Sequence, residues 1–461
     1  MAERRPNNLL RARVEESRLS YAAVAAGVRA VAAEHGEQLR TNAASVDHWL
    51  RGSVPAGATG RYLAIALSRR LGRLLTVADI GLGADAAPGP ENDTMGLSLS
   101  VDPIDALLPL WGGELDRRDF LWGSAYSVAA AALPLEHVID LAARTGHAAR
   151  SDSTIGMAEV EAVRDMVGAF SEMDERHGGQ HGRTALITYL RDDVAPLCRG
   201  RFRSDEVRRQ MLSAASRGVH LVGWKSYDAG QQSLAQRYYL QSYSLAVESG
   251  VRGHDGFVMR TMAMQGLKLH RPEHCRGLAE TGLNRAKGHI DAQTEALFRI
   301  VHAHTLAKSG QSRAAIAETK RAHTLLAEGK DRGHEVPFWA LAWGPPVGSV
   351  HSRAAKVFET LGDHEAAAAE YGRAAASRPS TFARIVALDL VAEAEMYIKR
   401  GHVEQACDAW SRSMDHMTGV RSVRTRKAVS SMRRDLRTVR ARGVRPAVEL
   451  DERARDFLMR A

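Results

Sequence analysis

The sequence predicts an all-α protein in which a small N-terminal helical bundle precedes an array of helical hairpins. Three observations carry that expectation. Alanine and arginine are frequent, aromatics make up 6% of the 461 residues and β-branched runs are scarce, a composition that favours helix over strand. Helix start and stop signals punctuate the N-terminal segment. Further on, glycines recur at nearly constant intervals, each followed by the same pattern of small and aromatic side chains.

A chain of this length exceeds one compact core. Residues 1–83 form the first unit, with helices expected over Asn7–Ser17, Tyr21–Glu34, Asn42–Leu50 and Thr59–Leu71, and with Ser20 and Thr41 as N-caps of the second and third. Residues 84–100 read as a flexible linker: GADAAPGPENDTMG, Gly83 to Gly96, has glycines, prolines and acids and almost nothing to bury. A helical connecting region, 101–200, follows. Within it RRDFLWGSAYSVAAAALP, Arg117 to Pro134, imitates a twin-arginine leader but lies too far inside the chain to act as one, so a buried helix is expected.

The repeat occupies residues 201–420. Its clearest copy is HSRAAKVFETLGDHEAAAAEYGRAAASRP. Taking Gly362 as the turn, Ala367, Tyr371 and Ala374 follow at offsets of five, nine and twelve. The same offsets run from Gly401 to Ala406, Trp410 and Ser413, from Gly310 to Ala315, Thr319 and Ala322, and from Gly230 to Ala235, Tyr239 and Ser242. A weaker copy uses His270, Cys275, Ala279 and Gly282. Small residues where two helices touch, a turn residue between them and an aromatic behind are what tetratricopeptide-like hairpins require. The array is therefore read as a tetratricopeptide-like α-solenoid, interrupted by the Trp- and Pro-rich insertion EVPFWALAWGPPVGS and closed by basic capping helices over 421–461.

Charge is uneven over the net +9. Residues 1–83 hold twelve Arg against seven Asp and Glu, and residues 421–445 hold ten Lys and Arg against Asp435 alone. Basic ends suit a polyanion or a solvated helical face. The odd, scattered Cys198, Cys275 and Cys407 lack CxxC spacing, so neither a disulfide framework nor structural zinc is expected and a reducing cytoplasm is. No apolar stretch has membrane-spanning length.

The segment TNAASVDHWLRGSVP is the candidate for DNA contact. On a helix Val46, Trp49 and Leu50 share one face and pin it to its neighbours. The opposite flank carries Thr41, Ala44, Ser45, His48 and Arg51, small or hydrogen-bonding residues that can approach base edges, with Asn42 and Arg40 beside them. Gly52 ends the helix and Pro55 prevents its resumption.

The run ASVDHWLRGSVP resembles the end of the recognition helix of Xre/Cro-type helix-turn-helix domains, although the tight turn before it is replaced by the longer VRAVAAEHGEQLR. The whole chain is similar to actinomycete regulators that join such a domain to tetratricopeptide repeats. That similarity rests on WLRG, on ALSRRLGRLLTVADIGLG, DRRDFLWGSAYS, DERHGGQHGR and GWKSYDAGQQSLAQRYY, and on the later repeats. It implies a transcriptional regulator of antibiotic production or sporulation, binding double-stranded DNA as a homodimer, with kinship to peptide-sensing repeat regulators.

First helices of such hairpins line the concave face of the superhelix. Counting from the turns puts His220, Trp224 and Tyr227, Arg260 and Met264, His304 and Lys356 there, as a candidate site for a peptide or small-molecule effector. The alternative reading is a protein–protein adaptor without DNA binding. No enzyme, cofactor or metal is expected: phosphate loops, GxSxG and HExxH are missing, and His177 and His181 sit in a glycine-broken loop read as a packing turn.

Overall fold

A computed structural model describes residues 6–34, 39–71, 75, 77–82, 102–115, 154–177, 182–268, 272–332, 336–342, 344–420, 422–440 and 445–460. It is all-α: among the described residues there is no strand, only isolated bridges between Ile155 and Phe202 and between Ala342 and Gly344. The chain divides into two units, Met1–Met95 and Gly96–Ala461. The segment Arg117–Pro134 lies outside the described residues.

The first unit contains α1 (Asn8–Ser17), α2 (Tyr21–Glu34), α3 (Ala43–Leu50), α4 (Thr59–Leu71) and a 3₁₀ turn, Ala78–Ile80. Leu10, Val14, Val24, Val28, Val31, Val46, Trp49, Leu50, Tyr62, Leu63 and Leu67 form its core. Asn7 ties the bundle together. Its side chain caps α1 by accepting from the Leu10 amide at 2.9 Å, its Nδ2 donates to the Ile80 carbonyl at 2.9 Å, and its own amide donates to the Leu50 carbonyl at 3.0 Å. Ser20 caps α2 as expected, accepting from the Ala23 amide at 3.2 Å. The cap of α3 differs from the expected Thr41: Asn42 takes that place, because its shorter register reaches the Ser45 amide while Thr41 turns inward.

The second unit begins with α5 (Pro103–Leu115) and α6 (Met157–His177). α7 (Arg183–Tyr189) continues through one π turn, Leu190–Val194, into α8 (Ala195–Cys198). Five hairpins follow. They are α9 (Asp205–Asp228) with α10 (Gln232–Ser249), α11 (His254–Lys268) with α12 (Pro272–Ala286), and α13 (Ala292–Lys308) with α14 (Ser312–Arg332). The last two are α15 (Pro346–Leu361) with α16 (His364–Ala376), and α17 (Ala383–Lys399) with α18 (Val403–His416). The array ends in α19 (Val423–Arg440) and α20 (Arg445–Arg460).

The turn glycines explain the repeat. Gly230, Gly310, Gly362 and Gly401 all have φ between 76° and 83°, a left-handed backbone that a side chain disfavours. At each, the amide of the next residue bonds to the carbonyl five residues back: Gln231 to Ser226, Gln311 to Leu306, Asp363 to Phe358 and His402 to Tyr397, all within 2.9–3.0 Å. This is the 6→1 closure of a Schellman turn. His270, the fifth turn position, lies outside the described residues. The small and aromatic positions are buried: Ala235, Ala315, Ala367 and Ala406 are fully covered, and Tyr239, Thr319, Tyr371 and Trp410 nearly so. In the second hairpin two glycines let α11 and α12 meet backbone to backbone; a Cβ on Gly256 would lie 2.6 Å from the Gly282 carbonyl oxygen.

Elements outside the hairpins pack on their first helices. α6 lies along α9 and reaches α17, and the insertion folds as a 3₁₀ turn, Phe338–Leu341, against α9 and α11. Trp339 stacks on His254 at 5.4 Å between ring centroids and 8° between planes. No described helix is long and apolar enough to cross a membrane.

Candidate nucleic-acid interface

α3 separates its faces as its sequence requires. Val46, Trp49 and Leu50 are buried, Trp49 at 7% exposure. Asn42, Ala43, Ala44, His48 and Arg51 are exposed, and Arg40 precedes them on the exposed surface. Two members of the predicted set behave differently. Thr41 is buried, its carbonyl taken by the Arg29 guanidinium. Ser45 is half-buried and engaged in a capping box: its amide donates to Asn42 Oδ1 at 3.0 Å and the Asn42 amide donates to Ser45 Oγ at 3.3 Å. The slim flank left to solvent is therefore Arg40, Asn42, Ala44, His48 and Arg51, with Ala43 added.

Arg51 is paired with Asp47 at 2.7 Å, but its side chain is 74% exposed. A surface pair of this kind contributes little, so the guanidinium can exchange Asp47 for a phosphate at small cost. Asn42 has a structural duty as well. Asn42→Ala is expected to destabilise the N-terminal unit by ~1 kcal/mol through loss of the cap, whereas Asn42→Asp, which keeps the acceptor, restores that loss. Thermal unfolding of the two variants checks this.

The connection between α2 and α3 is about as long as the sequence predicts. Most of VRAVAAEHGEQLR is helix, since α2 continues to Glu34. Eight residues, 35–42, then separate α2 from α3.

With this geometry in view, the comparisons address the same segment. Residues 10–83 match the family model of the SP15 N-terminal domain. The match spans α1 to α4 and none of the repeats. No curated protein matches the chain.

Five of the seven predicted effector residues, His220, Trp224, Tyr227, Arg260 and His304, occupy the packed interior of the second unit. His220 Nε2 lies 3.0 Å from Thr261 Oγ1, and Arg260 Nε donates to the Leu297 carbonyl at 2.7 Å. Trp224 and Tyr227 stack on each other at 5.2 Å, with the Arg424 guanidinium over both rings and Arg384 over Trp224. His304 is 5% exposed and its Nδ1 is 3.4 Å from Arg353 Nη1. Burial holds the His220 and His304 imidazoles well below the usual range. Met264 and Lys356 are half-buried, and Lys356 pairs with Glu359 at 2.9 Å beneath the Tyr371 ring.

The segment that carries His177, read as a packing turn, contributes two carboxylates to a buried ionic cluster. Asp174 and Glu175, at the end of α6, are 1% and 2% exposed. Arg384 of α17 donates to Asp174 Oδ2 at 2.7 Å and to Glu175 Oε1 at 2.8 Å, and lies 3.3 Å from Asp228 Oδ2. Lys225 of α9 donates to Asp174 Oδ1 at 3.1 Å. Burial alone raises a carboxyl, yet Arg384 and Lys225 hold Asp174 below its ordinary value. In Glu175 burial prevails over Arg384, assisted by the neighbouring Asp174, and its carboxyl is pushed up to about 7. The first and fifth hairpins are thus joined through α6.

Burial disfavours the thiolate form of the cysteines. Cys198 and Cys275 are buried, and burial pushes them up to about 12 and about 11.

Proposed function

We propose that this chain is a DNA-binding transcriptional regulator of the helix-turn-helix type, with α3 as the reading helix. The single observation that carries the reading is the two-faced character of α3: an apolar side locked in the core by Val46, Trp49 and Leu50, and a narrow polar side left open. Small residues at 43 and 44 let the backbone approach base edges, and His48 and Arg51 supply hydrogen-bond donors at groove distance. Arg40 and the arginine excess of the unit suit phosphate. The resemblance to Xre/Cro-type domains fused to tetratricopeptide repeats supports the same reading and suggests control of secondary metabolism or development from the cytoplasm. Pairing of two chains would place two reading helices on a two-fold operator.

The repeat unit supports a scaffold role more directly than an open receptor. An effector at His220, Trp224, Tyr227, Arg260 or His304 would have to displace packed neighbours, so Met264 and Lys356 are the members of that set a peptide or metabolite would reach first.

The full chain, incubated with fragmented genomic DNA, is expected to retain specific fragments with an affinity that falls steeply with salt. On such a fragment His48→Ala and Arg51→Ala should each cost ~1–3 kcal/mol of binding while leaving unfolding unchanged. Retention that ignores salt, or both variants binding as well as the parent, would leave the adaptor reading in its place.

A further inference from the structure

Two imidazoles and a carboxylate from three different helices converge at the seam between the third and fourth hairpins. His323 comes from α14, His351 from α15 and Glu370 from α16. Glu370 Oε2 lies 2.7 Å from His351 Nδ1 and 3.4 Å from His323 Nε2. The two rings are 5.4 Å apart between centroids, and one donor atom from each residue falls within 4.8 Å of the others. We propose that His323, His351 and Glu370 bind one divalent transition-metal ion, with zinc as the best match.

The donor set argues for that class of ion. Two imidazole nitrogens and one carboxylate oxygen suit zinc and its neighbours, and exclude the all-oxygen shells that calcium and magnesium prefer. The separations fit as well. Tetrahedral bonds of ~2.0–2.1 Å put donor atoms roughly 3.4 Å apart, which is the His323–Glu370 distance. The shorter His351–Glu370 contact is a hydrogen bond; when the ion enters, the imidazole proton resides on Nε2 so that neutral Nδ1 faces the metal, and the pair opens by roughly 0.7 Å to the same tetrahedral spacing.

Two further features point inward. His323 Nε2 is closed to solvent and its contact with Glu370 Oε2 is long, at 3.4 Å, so a metal would give this buried nitrogen a stronger partner. Arg373 Nη1 donates to the other carboxylate oxygen, Glu370 Oε1, at 2.7 Å. That bond fixes the carboxylate with Oε2 turned toward the imidazoles, as outer hydrogen bonds do for ligating carboxylates. Glu370 is 5% exposed in its side chain, His351 19% and His323 31%, so the cluster runs from the buried interior toward the surface.

The location gives the ion a purpose. The insertion EVPFWALAWGPPVGS separates the third hairpin from the fourth, and an ion held by α14, α15 and α16 would cross-link that seam. The assignment is independent of DNA binding.

The test uses the full chain stripped with chelator. Calorimetric titration with zinc is expected to show one equivalent per chain and a zinc-dependent rise in the unfolding temperature. Cobalt in the same site should give the intense d–d absorption of four- or five-fold coordination. His323→Ala and His351→Ala should each weaken zinc binding at least ~100-fold, the upper end for loss of even an outer partner. His402→Ala, at an exposed histidine ahead of α18, should leave it intact. Circular dichroism monitors folding; if an alanine variant fails to fold, His351→Asn replaces it. The proposal is overturned by a folded parent chain that takes up no zinc stoichiometrically, by a weak octahedral cobalt spectrum, or by binding that survives both histidine substitutions.

Discussion

Arg384→Ala is expected to cost the repeat unit about 3–5 kcal/mol, the range for removing one partner from a buried ionic cluster. The reason lies in what remains. Arg384 is fully buried and contacts Asp174, Glu175 and Asp228, three carboxylates from two other helices. Without the guanidinium, Lys225 is the remaining fully buried cation in contact with Asp174, and Arg424 stands 3.7 Å from Asp228 at the rim. Arg384→Lys is expected to recover little, because one ammonium cannot reach three acceptors with the planar fork of arginine. Denaturant unfolding followed at the transition of the larger unit measures both. A double-mutant cycle with Asp174→Asn separates the pair from the loss of packing over Trp224. A cost below 1 kcal/mol would mean that the cluster is not the centre of the array.

The second large effect concerns pH. Glu175 has its carboxyl raised from 4.5 to about 7, first by burial and then by Asp174 and Asp228, against the opposing pull of Arg384 and Arg378. Because the folded value is the higher one, the folded chain holds a proton that the unfolded chain has lost between those limits. The contribution of this group is therefore fully present below pH 4.5 and is lost as pH rises toward 7. The shift corresponds to ~3 kcal/mol at one decade of affinity per 1.36 kcal/mol. Glu175→Gln, which imitates the protonated side chain, should match the parent near pH 4.5 and exceed it increasingly up to about pH 7, then run parallel. Asp174 acts with the opposite sign: held below its ordinary value, it lends stability that falls away in acid. A parent-minus-variant difference that is flat across this range would remove Glu175 as the titrating group.

Much of the fold was legible because its signals are local. A glycine in the left-handed region, an alanine five residues on and an aromatic nine residues on are all consequences of one turn geometry repeated. The first-unit helices could be read almost to the residue for the same reason. The interior of the array was not legible, because what fills it comes from elsewhere in the chain. The ion pair between Asp174 and Arg384 spans 210 positions, and no spacing rule connects them. A weaker clue did exist. Arg384 shares a helical face with Ala387, Val391 and Ala394, all buried, and a charge on such a face calls for a buried partner. Similarly, the sequence could not reveal that Arg384 and Arg424 cover Trp224 and Tyr227. His323, His351 and Glu370 escaped notice since each stands alone in its own helix.

The bridge between the first and fifth hairpins also bears on how this array can change over time. An open superhelix grows or shrinks by whole units, since each touches only its neighbours. Here, duplicating or deleting one hairpin would carry Arg384 out of reach of Asp174 and strand buried charge at both ends. The count of hairpins is thereby locked, and variation in this protein should collect in exposed helices and in the insertion rather than in the number of units.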